Sequence, residues 1–416
     1  MRRFIVCALI VMSVLSPVFA TGATEEAAKE TTLTVLWFND ANESEVFKAT
    51  MADYLARNPN IKIDVQVVAF SEYEQKLKLM IAGGNPPDVA RVTNNQISAL
   101  IDVLLPLDDK IPGLEAMKKN YLKASLAFAV NGDGKLVAFP TEATANGMLV
   151  NKTAFKNAGI DVDTLSKTWT WADWEKAVTA VIAADSRMKY GLAVDFTPHR
   201  FSTLMFQQGG RFLNANQTGM GFDNPGTIAT LRFFKDLHDK GLVPKSVWMG
   251  SENPAELFQA GIVASHIGGS WNINTYKKNV KDFEWGAVRM PKGAINSSVP
   301  GGKFIATFKG GHNEAEALRL ITSFADKDHT AAYVRDTFNL SSRTDTVVAY
   351  PSNSADFAVF LEELKVTPPF TADEWKNVAL NKVSPFIREQ IVQVLLGNMT
   401  PEQAAKAVQE KGATYF

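Results

Sequence analysis

The strongest constraint on this chain is a repeated change of hydrophobic period between Leu33 and Val92. Leu33 to Phe38 is an apolar β-type run bounded by Asn39-Asp40, so it reads as a buried strand. Phe47, Met51, Tyr54 and Leu55 then share one helical face, ending near Asn58-Pro59. Ile61, Ile63, Val65 and Val67 alternate, which makes a second strand. Ser71 and Glu74 have the spacing of a capping box, opening a helix that stops at Gly83-Gly84. Asp88 to Val92 is a third short strand. Strand, helix, strand, helix, strand is a doubly wound α/β pattern with a parallel sheet.

The pattern returns downstream. Thr170 caps a helix carrying Trp174, Val178, Val181 and Ile182 on one face, and Tyr190 to Val194 is a strand. Pro225 opens a helix and Gly241 lies just past its end. Val263 to Ile267 and Trp285 to Val288 are short buried strands. Asn313 caps another helix, Gly397 closes a later one, and Thr400-Pro401 with Gln403 starts the last. Gly83-Gly84 and Gly268-Gly269 read as turns. Two α/β units imply two lobes, with ligand sites beyond the carboxyl ends of the strands.

The first twenty residues are of a different kind. Arg2-Arg3, the apolar run Phe4 to Leu15, Ser16-Pro17 and Val18-Phe19-Ala20 form a secretory signal peptide, too short to span a membrane. Its removal takes two arginines and moves the net charge from −1 to −3. The single cysteine, Cys7, lies inside it, so the mature chain is neither disulfide-bonded nor a lipoprotein. Residues 21–31 read as a solvated leader. These features place the chain in the periplasm, with no membrane span in its mature part. The near-neutral charge argues against nucleic acid as a partner.

Catalytic signatures are missing. The five histidines lack metal-pair spacing, and no phosphate loop, nucleophile elbow or calcium loop occurs, so no metal or cofactor is expected. No two of the 44 acidic residues stand out as a glycosidase pair.

In order along the chain stand Asn58-Pro-Asn-Ile-Lys-Ile-Asp-Val65, Gly83-Gly-Asn-Pro-Pro-Asp-Val89, Leu105-Pro-Leu-Asp-Asp109 and Asp133-Gly-Lys-Leu-Val-Ala-Phe-Pro140. Asn151-Lys-Thr-Ala-Phe-Lys-Asn-Ala-Gly-Ile160, Phe258-Gln-Ala-Gly-Ile-Val-Ala264, Gly269-Ser-Trp271 and Val299-Pro-Gly-Gly302 follow. With these segments the chain resembles the extracellular solute-binding proteins of bacterial ABC importers, in the maltodextrin and multiple-sugar branch. Val150 departs from the tyrosine common before Asn-Lys in that family. The resemblance implies two α/β lobes joined by a multi-segment hinge, with crossings near Pro140 to Ala143, Gly302 to Ile305 and Val347 to Pro351. Lobe one would be 32–142 plus 304–346, and lobe two 143–303 plus 347–416. It further implies a monomer that carries a sugar or small oligosaccharide to permease subunits without acting as an enzyme. A phosphorylated polyol or other small anion is the alternative ligand, and a secreted glycoside-processing enzyme a more remote one.

A sugar needs planar polar groups for its hydroxyls and aromatic rings for its C–H faces. Trp271 stands where the family has a stacking aromatic. Glu142 lies at the first crossing. Asn39, Asp40 and Glu43 follow the first strand, where one of them is expected to reach the cleft and the others to cap the helix. Trp37 is a candidate for cleft or core. Asn94 and Asn95 follow the third strand, and Gly302 would let backbone approach a ligand. Arg343 and Arg200 suit vicinal hydroxyls or an anion. Trp248 either lines the cleft or closes a loop.

Overall fold

The computed structural model describes residues 30–416, so the signal peptide and nearly all of the leader lie outside the described residues. The strands are β1 Thr31–Trp37, β2 Ile61–Val67, β3 Val89–Thr93 and β4 Ala138–Asn151. They continue with β5 Tyr190–Val194, β6 Val263–Gly269, β7 Trp285–Val288 and β8 Pro300–Ala306. The lateral order is β2-β1-β3-β8-β4-β6-β5, with β7 also on β4.

Parallel pairing holds at both flanks, where β1 joins β2 and β3 and where β5 joins β6. Helices lie between these strands, the crossover that a parallel pair requires. The middle is antiparallel, contrary to a simple parallel sheet: β8 pairs with β3 and β4, and β4 pairs with β6 and β7. The reason is that β4 and β8 are not products of strand–helix–strand units. They are crossing segments that carry the chain between two α/β halves. The first part of β4, Ala138 to Ala145, lies on β8, and the remainder, Asn146 to Asn151, lies on β6 and β7. All of β4 is buried. Its register on β8 slips between Pro140 and Glu142, which is where a bulge re-aims a side chain. A third segment joins them: Leu340 bridges to Ala143, and the Ser342 hydroxyl donates to the Pro140 carbonyl at 2.9 Å. This segment meets β4 several residues before the expected Val347, which is exposed to solvent.

Local signals mostly act where the sequence puts them. Thr170 with Asp173 and Thr400 with Gln403 form capping boxes, and Gly397 ends its helix in the left-handed region at φ 78°. Two caps differ. The helix Phe70–Ala82 starts one residue ahead of Ser71, so Ser71 and Glu74 form no box, and Glu74 accepts from Lys78 at 2.5 Å instead. Asn313 sits at a helix start, yet its amide donates to Asp88 at 3.1 Å rather than capping the helix. Gly268-Gly269 belongs to β6 and is not a turn.

His238 in the helix Pro225–Asp239 is packed against Phe234 with ring centroids 4.5 Å apart, and its Nδ1 lies 2.7 Å from the Phe234 carbonyl. Burial pushes its imidazole down to about 4. The unfolded chain therefore takes up the proton first. Stability is complete above about pH 6.5 and is lost as pH falls towards 4, with a slope of at most about 1.4 kcal/mol per pH unit. Urea midpoints at pH 7, 5.5 and 4.5 should fall in that order, and His238→Gln should flatten the trend.

Candidate functional site

The carboxyl ends of the parallel strands in both halves face one cavity of about 340 Å³. Each end is shaped by local hydrogen bonds. After β1, the Asn39 amide donates to Ser44 Oγ at 2.9 Å while Asn39 Oδ1 accepts from the Ser44 N–H at 2.8 Å. Glu43 Oε2 accepts the N–H groups of Asp40 and Ala41, both at 2.9 Å. The turn is thereby fixed, and the carboxylate of Asp40 is free to face the cavity. After β3, Thr93 and Gln96 cap the helix Asn94–Leu100. The capping work falls to them, which leaves the Asn94 and Asn95 side chains on the cavity wall.

In the other half, Thr197 caps the helix Pro198–Gln207 and sets Asp195, His199 and Arg200 along the wall. Beyond β6 stands Trp271. A Cβ built on Gly269 would lie 1.8 Å from its ring, so the indole rests where the strand has no side chain. The crossing strands supply the floor with Thr144, Gly301, Gly302 and Lys303. A Cβ on Gly302 would come within 2.8 Å of the Glu142 carbonyl, so this glycine serves close strand packing as well as access.

Beneath the floor, Arg91 is fully buried. It donates to the Phe38 carbonyl and to Glu142 Oε1, each at 2.8 Å, and lies 3.6 Å from Asp40. Lys303 stands 2.8 Å from Asp40 and 3.5 Å from Glu142. Two cations and two carboxylates thus alternate. Burial raises Asp40, but Lys303 and Arg91 more than reverse this and hold it below the usual carboxylate range. Burial raises Glu43, and the field of Arg91 only partly offsets it. Burial lowers Arg91, yet Glu142, Tyr333, Glu43 and Asp40 together outweigh that and leave its guanidinium above the ordinary arginine value.

The second charged group is smaller. Asp195 lies 3.3 Å from Arg200 and 2.9 Å from His266. Burial opposes its ionisation, and the His266 hydrogen bond and Arg200 prevail, so its carboxyl is held low. The Arg200 guanidinium lies 4.5 Å above the Trp271 ring, and Lys303 is 5.2 Å from it. Burial and the neighbouring Arg200 push His199 well below the usual histidine range, so it is neutral at pH 7. The wall therefore offers hydroxyl-matching carboxylates, amides and guanidinium beside an indole, with its charges paired internally.

Of the residues named from sequence, Trp271, Asp40, Asn94, Asn95, Gly302 and Arg200 meet at this cavity. The others are placed elsewhere. Glu142 lies under the floor, fully buried, holding Arg91. Asn39 and Glu43 build the turn. Trp37 is core, stacked on Phe47 at 4.6 Å. Trp248 is core against Phe234 at 5.2 Å. Arg343 is turned away, bonded to Asp345 at 2.9 and 2.8 Å and to the Ala325 carbonyl at 2.7 Å. Sequence reasoning passed over Asp195, Thr197, His199, Lys303, Phe70 and Phe38. For Asp195 the signal existed, since it is the first residue past a strand. For Lys303 it did not, because β8 carries no alternation.

Comparison with known proteins gives a consistent picture. A family model described as bacterial extracellular solute-binding protein matches residues 49–358. An arabinooligosaccharide-binding protein of Bacillus subtilis is 27% identical over 253 residues, 59% of this chain and 57% of its own. An sn-glycerol-3-phosphate-binding periplasmic protein of Pectobacterium atrosepticum is 25% identical over 385 residues, 84% of each chain. An ABC substrate-binding protein of Listeria monocytogenes, solved in complex with cycloalternan, shares the fold with a TM-score of 0.79 at 22% identity, covering 93% of this chain and 99% of that one.

The paired charges beneath the floor make a direct prediction. Arg91→Met should destabilise the protein by about 3–5 kcal/mol in chemical denaturation, because Glu142 is left without its closest counter-charge. Adding Glu142→Gln should recover part of that loss, whereas independent roles would make the two losses add.

Proposed function

Since the chain belongs to the bacterial extracellular solute-binding protein family, we propose that it captures a neutral sugar or small oligosaccharide in the cavity between its halves. It then delivers the sugar to the permease of an ABC importer. The observation that carries this reading is the convergence of Trp271, Asp40, Asn94, Asn95 and Asp195 on one cavity from the strand ends of both halves. A volume of about 340 Å³ is near the lower end for ligand sites, which suits one or two sugar rings. A ligand that touches both halves favours the closed arrangement by its differential affinity, and capture requires no chemical step.

The lobes in this reading are 32–142 with 304–346, and 143–303 with 347–416. Packing supports them: the helix Lys327–Thr337 lies on Glu43–Thr50, and Ser354–Val366 on β4 and β7. The chain would work as a monomer in the periplasm after loss of residues 1–20. Among the described residues no helix is long and apolar enough to cross a membrane.

The second reading is a phosphorylated polyol. Arg200 and Lys303 on the cavity wall favour it, and so does the likeness to the sn-glycerol-3-phosphate-binding protein. The pairing of Arg200 with Asp195 and of Lys303 with Asp40 weighs towards a neutral ligand. The two readings differ in salt response. Sugar affinity should stay nearly constant from 20 to 500 mM sodium chloride, whereas affinity for an anion should fall steeply.

Thermal shift and calorimetry across a sugar panel, guided by native mass spectrometry of co-purified ligand, test the proposal. Trp271→Ala should weaken the best-bound sugar by about tenfold to a hundredfold, the scale of burying one aromatic face, with little change in melting temperature. Absence of any sugar response in the intact protein would sink the reading.

A further inference from the structure

Asp195 follows β5 directly and reaches the cavity, and behind it, away from solvent, stand two fully buried groups. His266 Nε2 lies 2.9 Å from Asp195 Oδ1, and the Tyr276 hydroxyl lies 2.6 Å from His266 Nδ1. A carboxylate oxygen can only accept, so Nε2 carries the imidazole proton. In the neutral imidazole Nδ1 bears a lone pair, into which the Tyr276 hydroxyl can donate. Burial and the nearby Asp195 keep the Tyr276 phenol protonated, hence a donor. Around the imidazole, β4 and β5 present Leu149 and Ala193, and Phe258 lies 6.2 Å away. Among the described residues, Asp195 and Tyr276 are the titratable groups hydrogen-bonded to it. A Cβ at Gly268 would lie 2.6 Å from His266 Cε1, so the ring's seat depends on that glycine.

The chain of bonds ends in the cavity. Asp195 Oδ2 is 3.3 Å from Arg200 Nε, and the Arg200 guanidinium covers Trp271. A carboxylate and a guanidinium side by side offer one acceptor and one donor to neighbouring hydroxyls. A phosphate at the same place would face the Asp195 charge.

We infer that Tyr276 and His266 are positioning residues that fix Asp195 as the hydroxyl-accepting group of the cavity, and that Asp195 and Arg200 together take a vicinal diol of a neutral sugar. This rests on the sugar reading and names the pair that selects the ligand. The tautomer matters because only the Nε2–H form holds Asp195 in place without adding a second positive charge beside Arg200.

Two measurements test it. Imidazole ¹⁵N shifts of the full chain at pH 7 should show His266 as the Nε2–H tautomer. Tyr276→Phe should shift the His266 signals towards a tautomer mixture. An Nδ1–H form, or no response to Tyr276→Phe, overturns the relay. Calorimetry with L-arabinose, D-glucose, arabinobiose, maltose and sn-glycerol 3-phosphate then reads the consequence. For the sugar the wild type binds best, Asp195→Asn and His266→Leu should each weaken binding at least about tenfold. His266→Gln, which can still donate to Asp195, should stay within about threefold. If Asp195→Asn leaves sugar affinity unchanged while Trp271→Ala abolishes it, the inference falls and the sugar reading stands. If no sugar binds, or only sn-glycerol 3-phosphate does, the sugar reading falls and takes the role of Asp195 with it, whatever the tautomer.

Discussion

The structure turns on one buried cation. Arg91 has no exposed surface, so its charge has to be matched from within. Its partners come from three separate places: the Phe38 carbonyl at the end of β1, Glu142 at the slip in β4, and Asp40 in the turn before the next helix. Satisfying that guanidinium ties the first strand to the crossing strand. It also brings Asp40 to Lys303, and so places a carboxylate and an ammonium on the cavity floor.

Elements governed by local rules were legible from the sequence. The strands Ile61–Val67, Tyr190–Val194 and Trp285–Val288 stand where alternation or short apolar runs predict them, because side-chain burial on a sheet face repeats every second residue. Trp271 was found through a resemblance of Gly-Ser-Trp. From sequence Trp37 reads as core or cleft, Trp248 as cleft or loop, and Arg343 as a cleft residue, since a tryptophan near a strand end is chemically suited to core and cleft alike. Only long-range packing decides: Phe47 claims Trp37, and Phe234 claims Trp248. Arg343 found Asp345 two residues away, a local partner that the sequence displayed but did not rank.

What the sequence hid was nonlocal. The central strands pair across more than 150 residues, as with Glu142 and Lys303, and no periodicity encodes such a register. His266 looks like an ordinary strand residue, and its meaning depends on Asp195 and Tyr276 arriving from other elements. Glycine tells a similar story. Gly268 and Gly269 look like a turn in sequence, yet both lie in a strand. There their missing side chains give room to an imidazole and an indole.

The shared stretch of β4 and β8 has a mechanical consequence. From Ala138 to Ala145 the two crossings are laced to each other by ladder bonds, so they bend as a single ribbon and not as independent strings. A ribbon resists sliding and in-plane splay far more than it resists twist. A rotation that twists this ribbon would keep its ladder bonds, whereas sliding one crossing past the other would break them.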